Sequence, residues 1–380
     1  MKGKLLLLTG ILSLLVAGCN KKPDQGADPS LTTAHASEDT TKSPVLEEVF
    51  SDSTYQLTGV AVSPDGRLFT NYPYWLEHHA ASVVEIREGK PLPYPDTGWN
   101  SFQKGDQGSD TFVCVQAVVA DDKGYLWIVD AAGIGLGPVY KKANKVVKVR
   151  LSDNSIERIY RFPEQVVGTD SYLNDIRVDN TNGYAYMTSS SNGGIVVLNI
   201  VSGESRFVLH DSPSVKSDPS YHFTFNGKEF AMADGSIPKI HSDGIALSPD
   251  KAWLYYKPLT DDKLYRVETK LLRDFATPLK TIAGNVQDLG HFVTTDGMVF
   301  DKAGNLYFGD LERSSIVKIT PDLEMHTLIT DPENLIWPDS YSVSQDGYLY
   351  ISLSQIQLMP WFNNNVDKTE KPYRIVRLKI

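Results

Sequence analysis

The stretch DGMVFDKAGNLYF, Asp296 to Phe308, decides the fold. A carboxylate and a glycine lead into three apolar residues, a turn built from Asp, Lys, Ala, Gly and Asn follows, and an aromatic strand leaves. Two short strands around such a turn form a β-hairpin. Five further copies flank it: TGVAVSPDGRLF from Thr58, QAVVADDKGYLW from Gln116, NDIRVDNTNGYAY from Asn174, DGIALSPDKAWLY from Asp243 and DSYSVSQDGYLYI from Asp339. Their starts lie 58, 58, 69, 53 and 43 residues apart, by subtraction of those positions. That spacing suits four-stranded propeller blades with variable loops rather than helical repeats.

Outward from each hairpin a third strand follows: SVVEIR from Ser82, KVVKVRL from Lys145, GIVVLNI from Gly194, KLYRVET from Lys263, SIVKITP from Ser315 and YRIVRLK from Tyr373. A fourth follows most of them, as in IERIYRF from Ile156, SRFVLHD from Ser205 and MHTLITD from Met325. The sixth copy ends at Ile380 directly after its third strand. VLEEVFSD from Val45 resembles the other fourth strands and precedes the first blade. Pairing it with the last blade closes the ring and covers an open edge that would otherwise template aggregation. The expected fold is all-β, one six-bladed β-propeller over 45–380 with no long amphipathic helix.

The N-terminus reads as a targeting segment. Lys2 and Lys4 precede an apolar run, Leu5 to Val16, that is too short to span a bilayer convincingly. Val16-Ala17-Gly18-Cys19 then matches a bacterial lipobox, in which Cys19 accepts the lipid, so residues 1–19 are expected to be a lipoprotein signal peptide. An ordinary signal peptide containing a cysteine is the alternative. Asn20 in place of Asp leaves inner-membrane retention unsignalled, which points to the outer membrane of a bacterial cell envelope. Residues 20–44, rich in Ser, Thr, Asp and Pro, read as a flexible tether. Cys114, in an apolar run, is then a buried core thiol. The formal charge of −10 argues against nucleic-acid binding and favours cationic ligands over an anionic membrane surface. The expected partners are a small-molecule ligand and a membrane reached through the lipid alone, with a monomeric chain.

Aligning the repeats places Thr58, Gln116, Asn174, Asp243, Asp296 and Asp339 at one position, entering the innermost strand of each blade. Six polar side chains, three of them carboxylates, converge there at the mouth of the central channel. Confined carboxylates raise one another's pKa unless a cation neutralises them. The functional reading is a site for a metal ion or an organic cation. The plain reading is that each Asp caps a turn or ties adjacent blades. His241 and His291, shortly before two inner strands, are candidate acid–base groups at the mouth or simple loop histidines, and His78-His79 sit in a loop. The connections 97–115, 211–241 and 283–294 are candidate rims, and FTFNGKEF, Phe223 to Phe230, reads as a hairpin flap.

LYYKPLTDDKLYRVETKLLRD, Leu254 to Asp274, resembles the most recognisable stretch of the yellow/major royal jelly protein family. CVQAVVADDKGYLWIVDAAG from Cys114, FNGKEFAMADGS from Phe225 and WPDSYSV from Trp337 extend the likeness. The resemblance implies a six-bladed propeller with a ligand pocket at the axis. Some members bind small amines there and others are mainly structural, while bacterial relatives are often labelled dopachrome-tautomerase-related or gluconolactonase-like. A gluconolactonase-like enzyme holds a divalent cation such as Ca²⁺ in that column, and Asn174, Asp243 and Asp296 resemble its metal ligands. Thr58 departs from the Glu usual in the first blade of such enzymes, with Asp339 the candidate to replace it. Three functions therefore stand open: an envelope binding or sensing propeller for a small polar or cationic molecule, a metal-dependent hydrolase or isomerase, and a protein-interaction scaffold.

Overall fold

A computed structural model describes residues 44–225 and 227–380. The expectations placed on the signal segment, on Cys19 and on all but the last residue of the tether lie outside the described residues. The described residues form one unit with six four-stranded antiparallel sheets, one per blade. Their inner strands are Val60–Val62, Val115–Ala120, Leu173–Asp179, Ser242–Leu247, Met298–Phe300 and Pro338–Val343. Each begins within two residues of the repeat position recognised in the sequence.

The ring closes as expected. Glu47–Asp52 pairs antiparallel with Tyr373–Lys379, matching Glu47 to Arg377 and Asp52 to Tyr373. Arg377 bonds Glu47 at 2.7 Å across that seam. More of the stabilisation comes from Phe50, which is 4% exposed and packs with Tyr373 and Ile375 of the last blade against Leu57, Val60 and Val84 of the first. Burying a phenyl ring contributes about 2–3 kcal/mol.

The core is six wedges, one between each pair of neighbouring blades. Between the second and third blades Trp127 and Val129 meet Ile176, Met187 and Val196, and between the third and fourth Tyr186 and Val197 meet Ile245 and Tyr256. Because no blade buries both faces alone, the closing strand supports the whole ring. One rim expectation is corrected. The stretch 283–294 contains the outermost strand of the fourth blade, Gln287–His291, because two short helices, Thr269–Arg273 and Leu279–Gly284, delay that strand.

Candidate functional site

The repeat position is built as a bulge. Register slips between Val115 and Ala117, Leu173 and Ile176, Ser242 and Ile245, and Pro338 and Tyr341, so Gln116, Asn174, Asp243 and Asp339 each stand in an irregular step of their strand. A bulge re-aims a side chain while the ladder resumes beyond it. The ties between blades run through the backbone carbonyls at these positions. Thr188 donates to the Asp243 carbonyl at 2.6 Å, Gly297 N–H to that of Asp339 at 2.8 Å, Asn71 Nδ2 to that of Gln116 at 3.3 Å, and Ser352 to that of Thr58. A Cβ on Gly244 would stand 2.4 Å from the Asp296 carbonyl and one on Gly297 2.6 Å from that of Asp339, so only glycine lets the blades approach this closely.

With the carbonyls carrying the interblade ties, the carboxyl side chains are left for the axis. Asp243, Asp296 and Asp339 are all buried, and their carboxyls perturb one another. Burial first, and then the neighbouring acids, push Asp243 and Asp339 well above the usual carboxylate range. Burial also raises Asp296, to about 6, while Trp337 Nε1–H at 2.7 Å and the Asp243 carboxyl hold it lower. Asp339 Oδ2 is buried with no hydrogen-bond partner among the described residues.

A structural aspartate of the same protein shows the contrast. Asp130 accepts from the N–H groups of Val113, Cys114 and Ala132 and pairs with fully buried Lys145 at 2.7 Å. Every lone-pair direction there is used, as buried polar groups normally require. The side chains of the axial acids are under-satisfied by comparison, while the carbonyls of Asp243 and Asp339 tie adjacent blades as the plain reading has it.

Thr58 and Gln116 are placed differently. Thr58 Oγ1 accepts from Asn71 Nδ2 at 2.9 Å and faces the Gln116 carbonyl at 3.4 Å, so its hydroxyl is engaged between blades. Gln116 Oε1 accepts from Tyr172 at 2.9 Å, and Trp75 Nε1–H donates to the same phenol at 2.9 Å. Asn174 is buried at the matching step of the third blade, followed by Asp175, which lies near all three axial acids. Among the described residues, no three His, Cys, Asp or Glu side chains form a group that could hold a metal ion. The proposed ligand set Asn174, Asp243 and Asp296 thus offers one amide and two buried carboxyls.

Several residues of the site escaped the sequence reading. Lys257 is buried in the second strand of the fourth blade, its Nζ donating to the carbonyls of Pro258 and Asp261 at 2.7 Å each. Burial lowers it to about 8 against the pull of Asp261, Asp243 and Asp296. A lysine inside WLYYKP, otherwise an apolar strand, was the available signal. Trp337 holds a φ of +57°, a conformation costing a bulky residue roughly 1–3 kcal/mol and concentrated at functional sites. Its ring stacks on Phe225 at 5.3 Å, and Phe230 lies 4.4 Å from Phe362. The flap around Phe223 and a strap at 355–362 thus close over the acids, joined where Ala233 N–H donates to the Trp361 carbonyl at 2.8 Å.

The histidines stay outside this chamber. His291 is exposed and bonds Asp262 at 2.7 Å, His241 Nδ1 accepts from Ser217 N–H at 3.0 Å, and His78 and His79 bond loop carbonyls. Cys114 is buried and free, its thiol pushed up to about 12 by burial, as expected of a core thiol.

A family model described as Major royal jelly protein matches residues 113–380. The chain is 26% identical over 229 residues to Protein yellow of Drosophila yakuba, covering 55% of this chain and 40% of that protein. It is 24% identical over 233 residues to Major royal jelly protein 7 of Apis mellifera, covering 59% and 49%. The chain thus matches less than half the length of these relatives. Among solved structures, a gluconolactonase from Xanthomonas campestris superposes with a TM-score of 0.53 at 12% identity, covering 88% of this chain and 89% of that one. Virginiamycin B lyase from Staphylococcus aureus does so with a TM-score of 0.51 at 15% identity, covering 89% and 99%. At such identities the likeness shows the fold alone.

Proposed function

The chain belongs to the major royal jelly protein family, and from that premise we propose that it is an envelope-anchored binding propeller whose axial acids take a small organic cation. An aromatic amine is the best-matched ligand class. The observation that carries this reading is the under-satisfied set Asp243, Asp296 and Asp339, in which Asp339 Oδ2 has no partner among the described residues and Trp337 stands at hydrogen-bond distance from Asp296. An ammonium group supplies the missing donors, and an aromatic wall favours a cation over a neutral ligand by about 0.5–2 kcal/mol. Entry requires the Phe223–Phe230 flap to lift from Trp337 and Phe362.

The competing reading is a divalent-cation-dependent hydrolase or isomerase with Asn174, Asp243 and Asp296 as metal ligands. It asks Asp243 and Asp296 both to ionise so that both carboxylates bind metal. Calorimetric titration of chelator-treated protein with tryptamine and with Ca²⁺, beside a lactone hydrolysis assay, separates the two. Tryptamine binding that Asp296→Asn weakens supports the proposal. Ca²⁺ binding with lactone turnover, or no binding of either probe, overturns it.

A further inference from the structure

Lys145 and Lys257 are both buried, and their surroundings differ. Lys145 Nζ donates to the carbonyls of Gly108 and Ala143 at 2.9 Å each and to Asp130 Oδ2 at 2.7 Å. All three hydrogens of an ammonium are used there, one of them on a carboxylate, so Lys145 is a structural cation. Lys257 Nζ has two acceptors, the carbonyls of Pro258 and Asp261, and forms no ion pair among the described residues. Two donated hydrogens and one direction left over are the inventory of a neutral amine, whose remaining direction is its lone pair.

The strand places this amine beside the axial acids. Ser242 pairs with Pro258 and Ile245 with Tyr256, so Lys257 stands opposite the bulge that carries Asp243. Tyr256 packs toward the third blade and Tyr255 toward the fifth. Side chains alternate along a strand, so Lys257 turns with Tyr255 toward the fifth blade, where Asp296 stands. Leu259, two residues on, packs with Phe223 and Phe230 of the flap and with Trp337, so the cover over the acids is also the cover over this amine. Burial lowers Lys257 to about 8, which leaves roughly one chain in ten with the free amine at pH 7. Desolvated lysines of this kind are nucleophiles toward carbonyl carbon.

We propose that Lys257 is a carbonyl-reactive amine that captures an uncharged aromatic aldehyde as a reversible imine, a role that shares the chamber with the cation reading but does not rest on it. The Nζ lone pair adds to the carbonyl carbon as the C=O pair moves to oxygen. Both amine hydrogens pass to that oxygen, which leaves as water, and a C=N bond replaces the C=O bond; nothing is oxidised or reduced. The aldehyde's ring lies against Trp337 and the flap phenylalanines, and the acids around Lys257 disfavour an anionic substituent.

Benzaldehyde and 4-carboxybenzaldehyde, added separately to the exported chain at pH 7, form the test. Sodium cyanoborohydride supplies hydride to the imine carbon and fixes each adduct as a secondary amine, and peptide mass mapping locates the labelled lysines. Benzaldehyde labels Lys257 roughly tenfold or more faster than any other lysine, and Lys145, equally buried, stays unlabelled. 4-Carboxybenzaldehyde labels Lys257 roughly tenfold more slowly than benzaldehyde does, with no such loss at surface lysines. Lys257→Met, with a melting curve to confirm folding, loses the fast adduct and keeps the slow ones, and the mapping of the unaltered chain is decisive without it. Labelling spread evenly over the lysines, Lys257 left unlabelled, Lys145 labelled alongside it, or equal rates for the two aldehydes at Lys257 would overturn the proposal.

Discussion

Asp296→Asn should stabilise the protein at pH 8 and leave it nearly unchanged at pH 4. Asp296 titrates near 6 in the folded chain, whereas an unfolded aspartate titrates at its ordinary value of 3.8. Between those values the folded state binds the proton that the unfolded state has released, so stability falls as pH rises through that window. At about 1.4 kcal/mol for each pH unit of the gap, ionising Asp296 costs the fold on the order of 3 kcal/mol above pH 6. Asparagine keeps the shape and an acceptor for Trp337 Nε1–H but carries no charge. Unfolding entropy of roughly 2.1 cal/mol/K per residue converts 3 kcal/mol into a rise of about 4 °C for a domain of this length. Asp243 and Asp339 also ionise more readily once the charge beside them is gone, which adds to the gain. Thermal melts of both proteins from pH 4 to pH 8 provide the assay, and their difference cancels the titration of surface groups. A variant equally or more destabilised at pH 8 than at pH 4 would refute the reasoning.

Three other perturbations test separate parts of the account. Deleting Val45–Asp52 should collapse the melting transition, because losing Phe50 alone costs about 3–5 kcal/mol and the last blade also loses its outer strand. Deleting 20–40 should not move the transition, and equal melts for the two deletions would place the closing strand outside the ring's stability. Trp337→Phe should raise the Asp296 titration midpoint above 6, since it removes a hydrogen bond that favours the carboxylate; carboxyl NMR reads that midpoint, and an unchanged value would contradict the role given to the indole. Cys19→Ala should release the protein from membranes or leave it unprocessed, and unchanged fractionation and mass would remove the lipid anchor from the proposal.

The sequence carries the ring more openly than it carries the site. DGMVFDKAGNLYF and its five relatives mark the inner hairpins because alternation and turn chemistry are local, and Glu47–Asp52 could be assigned because the sixth copy lacked an outer strand. The bulges at Asp243 and Asp339 could not be read, since a bulge arises from register against a neighbouring strand. Nor could the engagement of Thr58, which depends on Asn71 thirteen residues later in the same blade. Trp337 stands two residues before Asp339 but bonds Asp296, 41 residues earlier in the neighbouring blade, and the strap at 355–362 comes from another connection, so no spacing rule reveals their contacts. The stretch 283–294 was misread because helices Thr269–Arg273 and Leu279–Gly284 displace the strand that follows.

Proton release on ligand binding tests the central claim most directly. Burial first, and then the neighbouring carboxyls, raise Asp243 and Asp339 well above the usual carboxylate range. An ammonium placed there lowers both and drives protons out. Calorimetric titration of tryptamine at pH 7, repeated in buffers of different ionisation enthalpy, counts them. The account predicts release of about one proton per bound amine, with affinity rising from pH 5 to pH 8 as the acids give up their protons. Binding with no proton release and no dependence on pH would contradict it.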